Sequence, residues 1–352
     1  MSGQLTYLEA IVVGALQGAT ELFPVSSLGH SVLLPALVGG SWAADLNVSA
    51  PESPYLAFIV GLHVATALAL LLYFWRDWVR IITGLFTSIR YRRVSNVDER
   101  LAWMIIIATI PVGIAGLALE HTFRTVLGRP VPAAIFLILN GGILYGAERL
   151  RRRAAARATL PPAPALVDRS GTAAVFASSS ASVEPGVPPG TVAPDAATSD
   201  AATSDAVAPD ADAVASSDAV ASDARVAARP LRQTTLIGAA QILALLPGIS
   251  RSGVTMAAGL RSGLSHEDSA RFAFLLATPV ILAAGALKVP DLFGPLGHGI
   301  HGQVLAGSVA SFGCAYLAVR FLTRYFETRT LTPFAIYCVA AGAVSLAWLG
   351  LS

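Results

Sequence analysis

The chain is 352 residues long; 54% of it is apolar, a further 31 residues are glycine, and only 13% is charged. Soluble domains carry about 25% charged residues, so this composition excludes an ordinary water-soluble enzyme. The net charge of +2 is unevenly spread: residues 154–224 hold eight Asp and one Glu against two Arg, a net of −7, which leaves +9 for the remainder. A basic excess in an apolar chain points to membrane lipid and not to nucleic acid.

In chain order, the opening MSGQLTYLEA lacks the basic stretch that begins a cleaved signal peptide, so the first apolar run is expected in the mature protein. That run, 7–38, is interrupted at its centre by Glu21, Pro24, Ser26, Ser27, Gly29 and His30. Proline removes an amide donor and ends a helix at or before itself. The run therefore reads as two half-helices with an irregular middle. Uninterrupted apolar runs follow at 55–75, 101–119 and 132–148, each near the length of about 20 residues that crosses a bilayer. The 76–100 segment is read as a loop carrying Arg76, Arg80, Arg90, Arg92, Arg93 and Arg100. Residues 154–224 are mostly Ala, Ser, Pro, Asp, Val and Thr. They hold too little apolar surface to fold and are expected to be a disordered linker. A second broken run, 233–263, has Gln241, Pro247, Gly248, Ser250, Arg251, Ser252 and Gly253 at its centre, and apolar runs return at 268–287, 304–322 and 332–350. Cys314 and Cys338 lie in apolar runs and read as small core residues.

This order predicts an all-α integral membrane protein, an inverted-repeat helical bundle with six transmembrane helices and two re-entrant helix hairpins. Residues 1–153 are the first repeat, 154–224 the linker and 225–352 the second, inverted repeat. The arginine-rich segments 76–100, 149–153 and 323–331 fall on one side, which the positive-inside rule makes cytoplasmic; the 120–131 loop, with Arg124 and Arg129, is the exception. Broken backbone at membrane depth is tolerated only where protein buries it or a wet cavity receives it. Any site is therefore expected at the two broken centres.

Ionisable residues inside membrane runs are costly and mark function by default. In the first centre Gln17 and Glu21 share a helix face at i,i+4. Ser26 or Ser27 caps the outgoing helix, and His30 lies in its first turn. In the second, Arg251 cannot shed its charge and needs an anion or a carboxylate partner such as Glu21. Ser250, Ser252 and Thr255 add hydroxyl donors, Gly248 and Gly253 allow close backbone approach, and a helix start adds its positive end. Together the centres suit a phosphate, a divalent ion and a nucleophile or acid. His63 and Thr66 could face this site or sit in the core. His266, Glu267 and Asp268 read as a helix start, and His298 and His301 lack a third metal ligand.

QGATELFPVSSLGH (17–30) and LLPGISRSGVT (245–255) resemble the two signatures of bacterial undecaprenyl-diphosphatases of the bacitracin-resistance type. The resemblance covers both membrane halves and leaves out 154–224. It implies removal of the terminal phosphate from undecaprenyl diphosphate, which frees the carrier for peptidoglycan and other envelope polymers. It also implies a divalent cation, Mg²⁺ or Ca²⁺, and a multi-pass plasma-membrane protein whose active site opens to the outer face. Matched position by position, it implies catalytic roles for Glu21, Ser27, His30 and Arg251. Phosphate binding falls to Ser26, Ser250, Arg251, Ser252, Gly253 and Thr255, and metal ligation to Glu21 with Gln17 as a second candidate. Three positions depart from the pattern: Gln17 stands where Glu is frequent, Leu28 where a small hydroxyl residue is usual, and Ala65 where Gly is common. The implied partners are a polyisoprenoid diphosphate and membrane lipids, and a homodimer is compatible with the pattern. The nucleophile stays open between Ser27 with His30 as its base, His30 itself and a metal-bound water. An inverted-repeat transporter or polyprenyl-phosphate flippase would share this architecture but needs no nucleophile.

Overall fold

The computed structural model describes residues 5–46, 54–158, 211–294 and 299–351. Their elements are α1 (Tyr7–Leu22), α2 (Ser27–Val38), α3 (Gly40–Asp45), α4 (Pro54–Tyr73), α5 (Trp75–Tyr91), α6 (Val97–Leu127) and α7 (Pro130–Ala158), then α8 (Ala211–Ala227) and α9 (Leu231–Ala239). A 3-10 stretch (Ala240–Leu245) follows, then α10 (Arg251–Arg261), α11 (His266–Phe293), α12 (His301–Thr328) and α13 (Thr332–Leu351). Five helices (α6, α7, α11, α12 and α13) are long and apolar enough to cross a membrane, and a sixth crossing results if α4 and α5, bent by 85°, act as one span. The protein is an all-α, multi-pass membrane bundle.

Both broken runs are helix–break–helix. A capping box starts α1: the Glu9 amide donates to Thr6 Oγ1 (3.2 Å) and the Thr6 amide donates to Glu9 Oε2 (2.8 Å). The helix stops before Pro24, and α2 starts on Ser26, whose Oγ accepts from the Gly29 amide (3.2 Å). In the second run Ser250 caps α10 in the same way, accepting from the Gly253 amide (3.1 Å).

Two expectations change. The 76–100 segment is not a loop, because α5 occupies most of it. Trp75, Val79, Ile82, Phe86 and Ile89 are exposed and fall on one stripe, while Ile81, Gly84 and Ser88 are buried on the opposite face. That pattern suits a helix lying along the membrane interface. The segment expected as a linker, 154–224, is also helical at both ends. Residues 154–158 complete α7, 211–227 form α8, and 159–210 lie outside the described residues. The physical reason for α8 is charge pairing. Asp223 is 1% exposed and accepts from Arg271 (2.8 and 2.9 Å) and Arg80 (2.8 Å). Arg225 in turn donates to Asp268 (2.7 Å).

Asp223→Ala is therefore expected to lower the thermal midpoint in detergent. Breaking a buried ion pair costs about 3–5 kcal/mol; less is expected here because Asp77 keeps both arginines partnered. Deleting 160–210 should leave the midpoint unchanged, and an equal loss in both variants would contradict the assignment.

The halves interlock through small residues. A Cβ on Gly14 or Gly18 of α1 would strike the backbone of Gly307 or Ser311 on α12. Gly141 of α7 and Gly342 of α13 are each so close to the facing helix that a Cβ would lie 2.7 Å from a carbonyl oxygen. Such close approach is how membrane helices associate without a hydrophobic driving force.

Candidate active site

The two broken centres meet. A Cβ on Gly29 would lie 2.9 Å from the Cα of Gly248, and Gly248 adopts φ +108, which only glycine takes easily. Asn140, fully buried on α7, ties the turns together: its Nδ2 donates to the Pro24 carbonyl (3.0 Å) and its Oδ1 accepts from the Ser250 amide (3.0 Å). Asn140→Ala would leave the Ser250 amide buried without that partner, at about 1–3 kcal/mol, and the Pro24 carbonyl with only the weak Cys338 thiol donor at 3.8 Å. A lower thermal midpoint and slower turnover are expected together, and wild-type values of both would remove Asn140 from the site.

Glu21 is the hub. Gln17 Nε2 donates to its Oε2 at 2.9 Å, as the shared helix face predicts. Ser27 Oγ also donates to Oε2, and Arg251 Nη2 donates to Oε1. His63 Nε2 lies 3.5 Å from Oε2, with Nδ1 held 2.8 Å from the Ile59 carbonyl. Glu21 is 8% exposed, and its charge is balanced across the two signatures by Arg251. A buried carboxylate is stable only when so paired.

The other site residues divide by partner. His30 does not bond Ser27. Its Nδ1 lies 2.7 Å from the Ser26 carbonyl oxygen and its Nε2 2.8 Å from the Tyr337 hydroxyl. Ser26, buried at φ 69, thus holds the imidazole through its backbone; a non-glycine residue there is uncommon and marks a constrained position. Ser250 and Ser252 share a hydrogen bond (3.1 Å), and Ser252 Oγ donates to the Phe23 carbonyl (3.3 Å). Thr255 Oγ1 donates to the Arg251 carbonyl (2.7 Å). These three hydroxyls engage the scaffold around Arg251. Thr66 belongs to the core, fully buried against Leu62 and Ser311. His266 starts α11 as expected and lies 2.8 Å from Glu148. Asn140 and Tyr337 lie outside both signatures, and sequence reasoning missed them.

The arrangement can bind an anion on Arg251, take a proton from Ser27 on Glu21, and keep an imidazole in the next helical turn. Beside Glu21, Gln17 Oε1 is buried with no hydrogen-bond partner among the described residues. Among the described residues no cluster of three or more His, Cys, Asp or Glu could hold a metal alone. One carboxylate with one free amide oxygen fits a hard cation that substrate phosphates help to bind.

Comparison with known proteins follows the same residues. The family model described as bacitracin resistance protein BacA matches residues 10–177 and 211–344. The chain is 62% identical over 351 residues to the undecaprenyl-diphosphatase of Mycolicibacterium paratuberculosis, covering 100% of both chains. It is 56% identical to undecaprenyl-diphosphatase 1 of Frankia casuarinae, covering 98% of this chain and 99% of that one. It is 36% identical to the undecaprenyl-diphosphatase of Granulibacter bethesdensis, over 97% and 96%. The first match runs through the polar segment, so the likeness is not confined to the membrane halves.

Proposed function

This chain belongs to the bacitracin resistance protein BacA family, and from that premise we infer that it hydrolyses undecaprenyl diphosphate to undecaprenyl phosphate and phosphate. The activity recycles a lipid carrier for envelope synthesis. The observation that carries the reading at atomic level is the convergence of both signatures on Glu21, which joins Ser27 and Gln17 to Arg251.

The chemistry follows from that convergence. Arg251 receives the terminal phosphate and lets its Glu21 pair loosen as the new anion arrives. Glu21 then takes the Ser27 proton while Oγ attacks phosphorus, and undecaprenyl phosphate leaves. This assigns Ser27 to Glu21 as its base, a pairing outside the three routes left open by the sequence. Water releases phosphate from Ser27, with His30 taking the water's proton.

A divalent cation, Mg²⁺ or Ca²⁺, would be held by Glu21 and Gln17 Oε1 together with substrate. When bound it supplies charge neutralisation on the phosphates. Gln17→Glu should lower the metal concentration for half-maximal rate, and an unchanged metal dependence would remove position 17 from the shell.

We also read 1–153 and 225–352 as inverted repeats, supported by a helix–break–helix unit followed by spans in each half. The arginine-rich segments favour a cytoplasmic linker and an outward-facing site. The direct test of function is phosphate release from undecaprenyl diphosphate by the purified chain in detergent. One phosphate and one undecaprenyl phosphate per substrate are expected, and binding without turnover would refute the reading.

A further inference from the structure

Tyr337 lies on α13, 307 positions from His30, yet its hydroxyl is 2.8 Å from His30 Nε2. The two rings also stack, with centroids 5.8 Å apart and planes 8° from parallel. The second ring nitrogen is committed elsewhere. Nδ1 sits 2.7 Å from the Ser26 carbonyl oxygen, which can only accept, so Nδ1 carries the proton. Neutral His30 therefore has its lone pair on Nε2, and the group donating to it is the Tyr337 hydroxyl. The imidazole is held on one side by the constrained Ser26 turn and on the other by the last helix. Tyr337 is 46% exposed.

We propose that Tyr337 is a positioning residue for the hydrolysis: the Ser26 carbonyl sets the Nδ1-protonated tautomer, and the Tyr337 hydroxyl and ring fix the orientation of the imidazole with Nε2 free of a proton. This rests on the functional reading above and deepens it. In the second half-reaction a water oxygen bonds to phosphorus and its proton goes to Nε2. The bond from phosphorus to Ser27 Oγ breaks, and Oγ recovers its proton from Glu21. The Tyr337 hydroxyl leaves Nε2 as the water arrives and donates to a phosphate oxygen instead. The base is thus kept in one orientation until it is used.

Tyr337→Phe keeps the ring and its stacking and deletes only the hydroxyl. Nitrogen-15 spectra of the histidine side chains of the full chain in detergent give a readout independent of activity, with His30 identified by its loss in His30→Gln. Wild type should show Nδ1 protonated and Nε2 unprotonated and hydrogen-bonded. In Tyr337→Phe the Nε2 signal should move to the free position while Nδ1 keeps its proton on the Ser26 carbonyl. Turnover should fall on the order of 10–100-fold, KM should stay within about twofold, and the acid limb of the kcat profile should shift.

A protonated Nε2 in wild type, or a Tyr337→Phe variant with unchanged nitrogen signals and unchanged kcat, would overturn the proposal. If the variant fails to fold, the wild-type spectrum still decides the contact: a hydrogen-bonded Nε2 supports it and a free Nε2 overturns it. If wild type releases no phosphate, the functional reading fails while the nitrogen test of Tyr337 stands.

Discussion

Glu21→Gln is expected to reduce phosphate release to background. The substitution removes the acceptor of the Ser27 proton, the counter-charge of Arg251 and the carboxylate proposed to hold a cation. Loss of a general base alone costs about 10²–10⁴ in rate. Stability should fall as well. Breaking a buried pair leaves an uncompensated charge at about 3–5 kcal/mol, and the 16% exposure of the Arg251 side chain lowers that figure here. The two losses can be separated. Glu21→Gln combined with Arg251→Gln removes both charges, so it should regain most of the thermal midpoint and none of the activity. An active Glu21→Gln variant with unchanged metal dependence would reduce Glu21 to a structural partner of Arg251.

Arg251→Lys should keep the fold and lose most of the rate. Lysine can still pair with Glu21, but a point charge cannot present the planar fork that holds two oxygens at once. Each lost charge-assisted hydrogen bond is worth about 1.5–3 kcal/mol, which is roughly 10–100-fold in kcat/KM at 1.36 kcal/mol per tenfold. Steady-state kinetics at saturating metal measure this directly. Activity within a factor of about two of wild type would mean that Arg251 bridges the halves and does not touch the phosphate.

The hub was legible in the sequence because its parts are local. Gln17 and Glu21 sit one turn apart on one helix, Ser27 follows across a proline break, and Arg251 is an uncancellable charge in a second such break. The helices at 54–73, 97–127, 130–158, 266–293, 301–328 and 332–351 were legible from runs of apolar residues. What stayed hidden depends on distant contacts. Asn140 is a lone amide in an apolar run, and only the packing of α7 against both turns reveals its two bonds. Tyr337 lies inside the apolar run 332–350, where nothing in the sequence singles it out. Helix α8 was obscured because Ala, Ser and Asp read as disordered, yet Asp223 and Arg225 find charged partners on α5 and α11. Helix α5 was obscured because its arginines suggested a loop, while its exposed apolar stripe fits a lipid interface. Ser27 with His30 as its base was one of three routes left open by the sequence, whereas the break turns Ser27 back onto Glu21.

The central claim is that Ser27, with Glu21 as its base, carries the phosphate between substrate and water. The measurement closest to it is rapid acid quenching of the full chain during turnover of undecaprenyl diphosphate labelled in its terminal phosphate, followed by mapping of the protein-bound label. The account predicts an acid-stable, alkali-labile phosphate on Ser27 that is absent in Ser27→Ala. An acid-labile label on His30, or full turnover by Ser27→Ala, would contradict it.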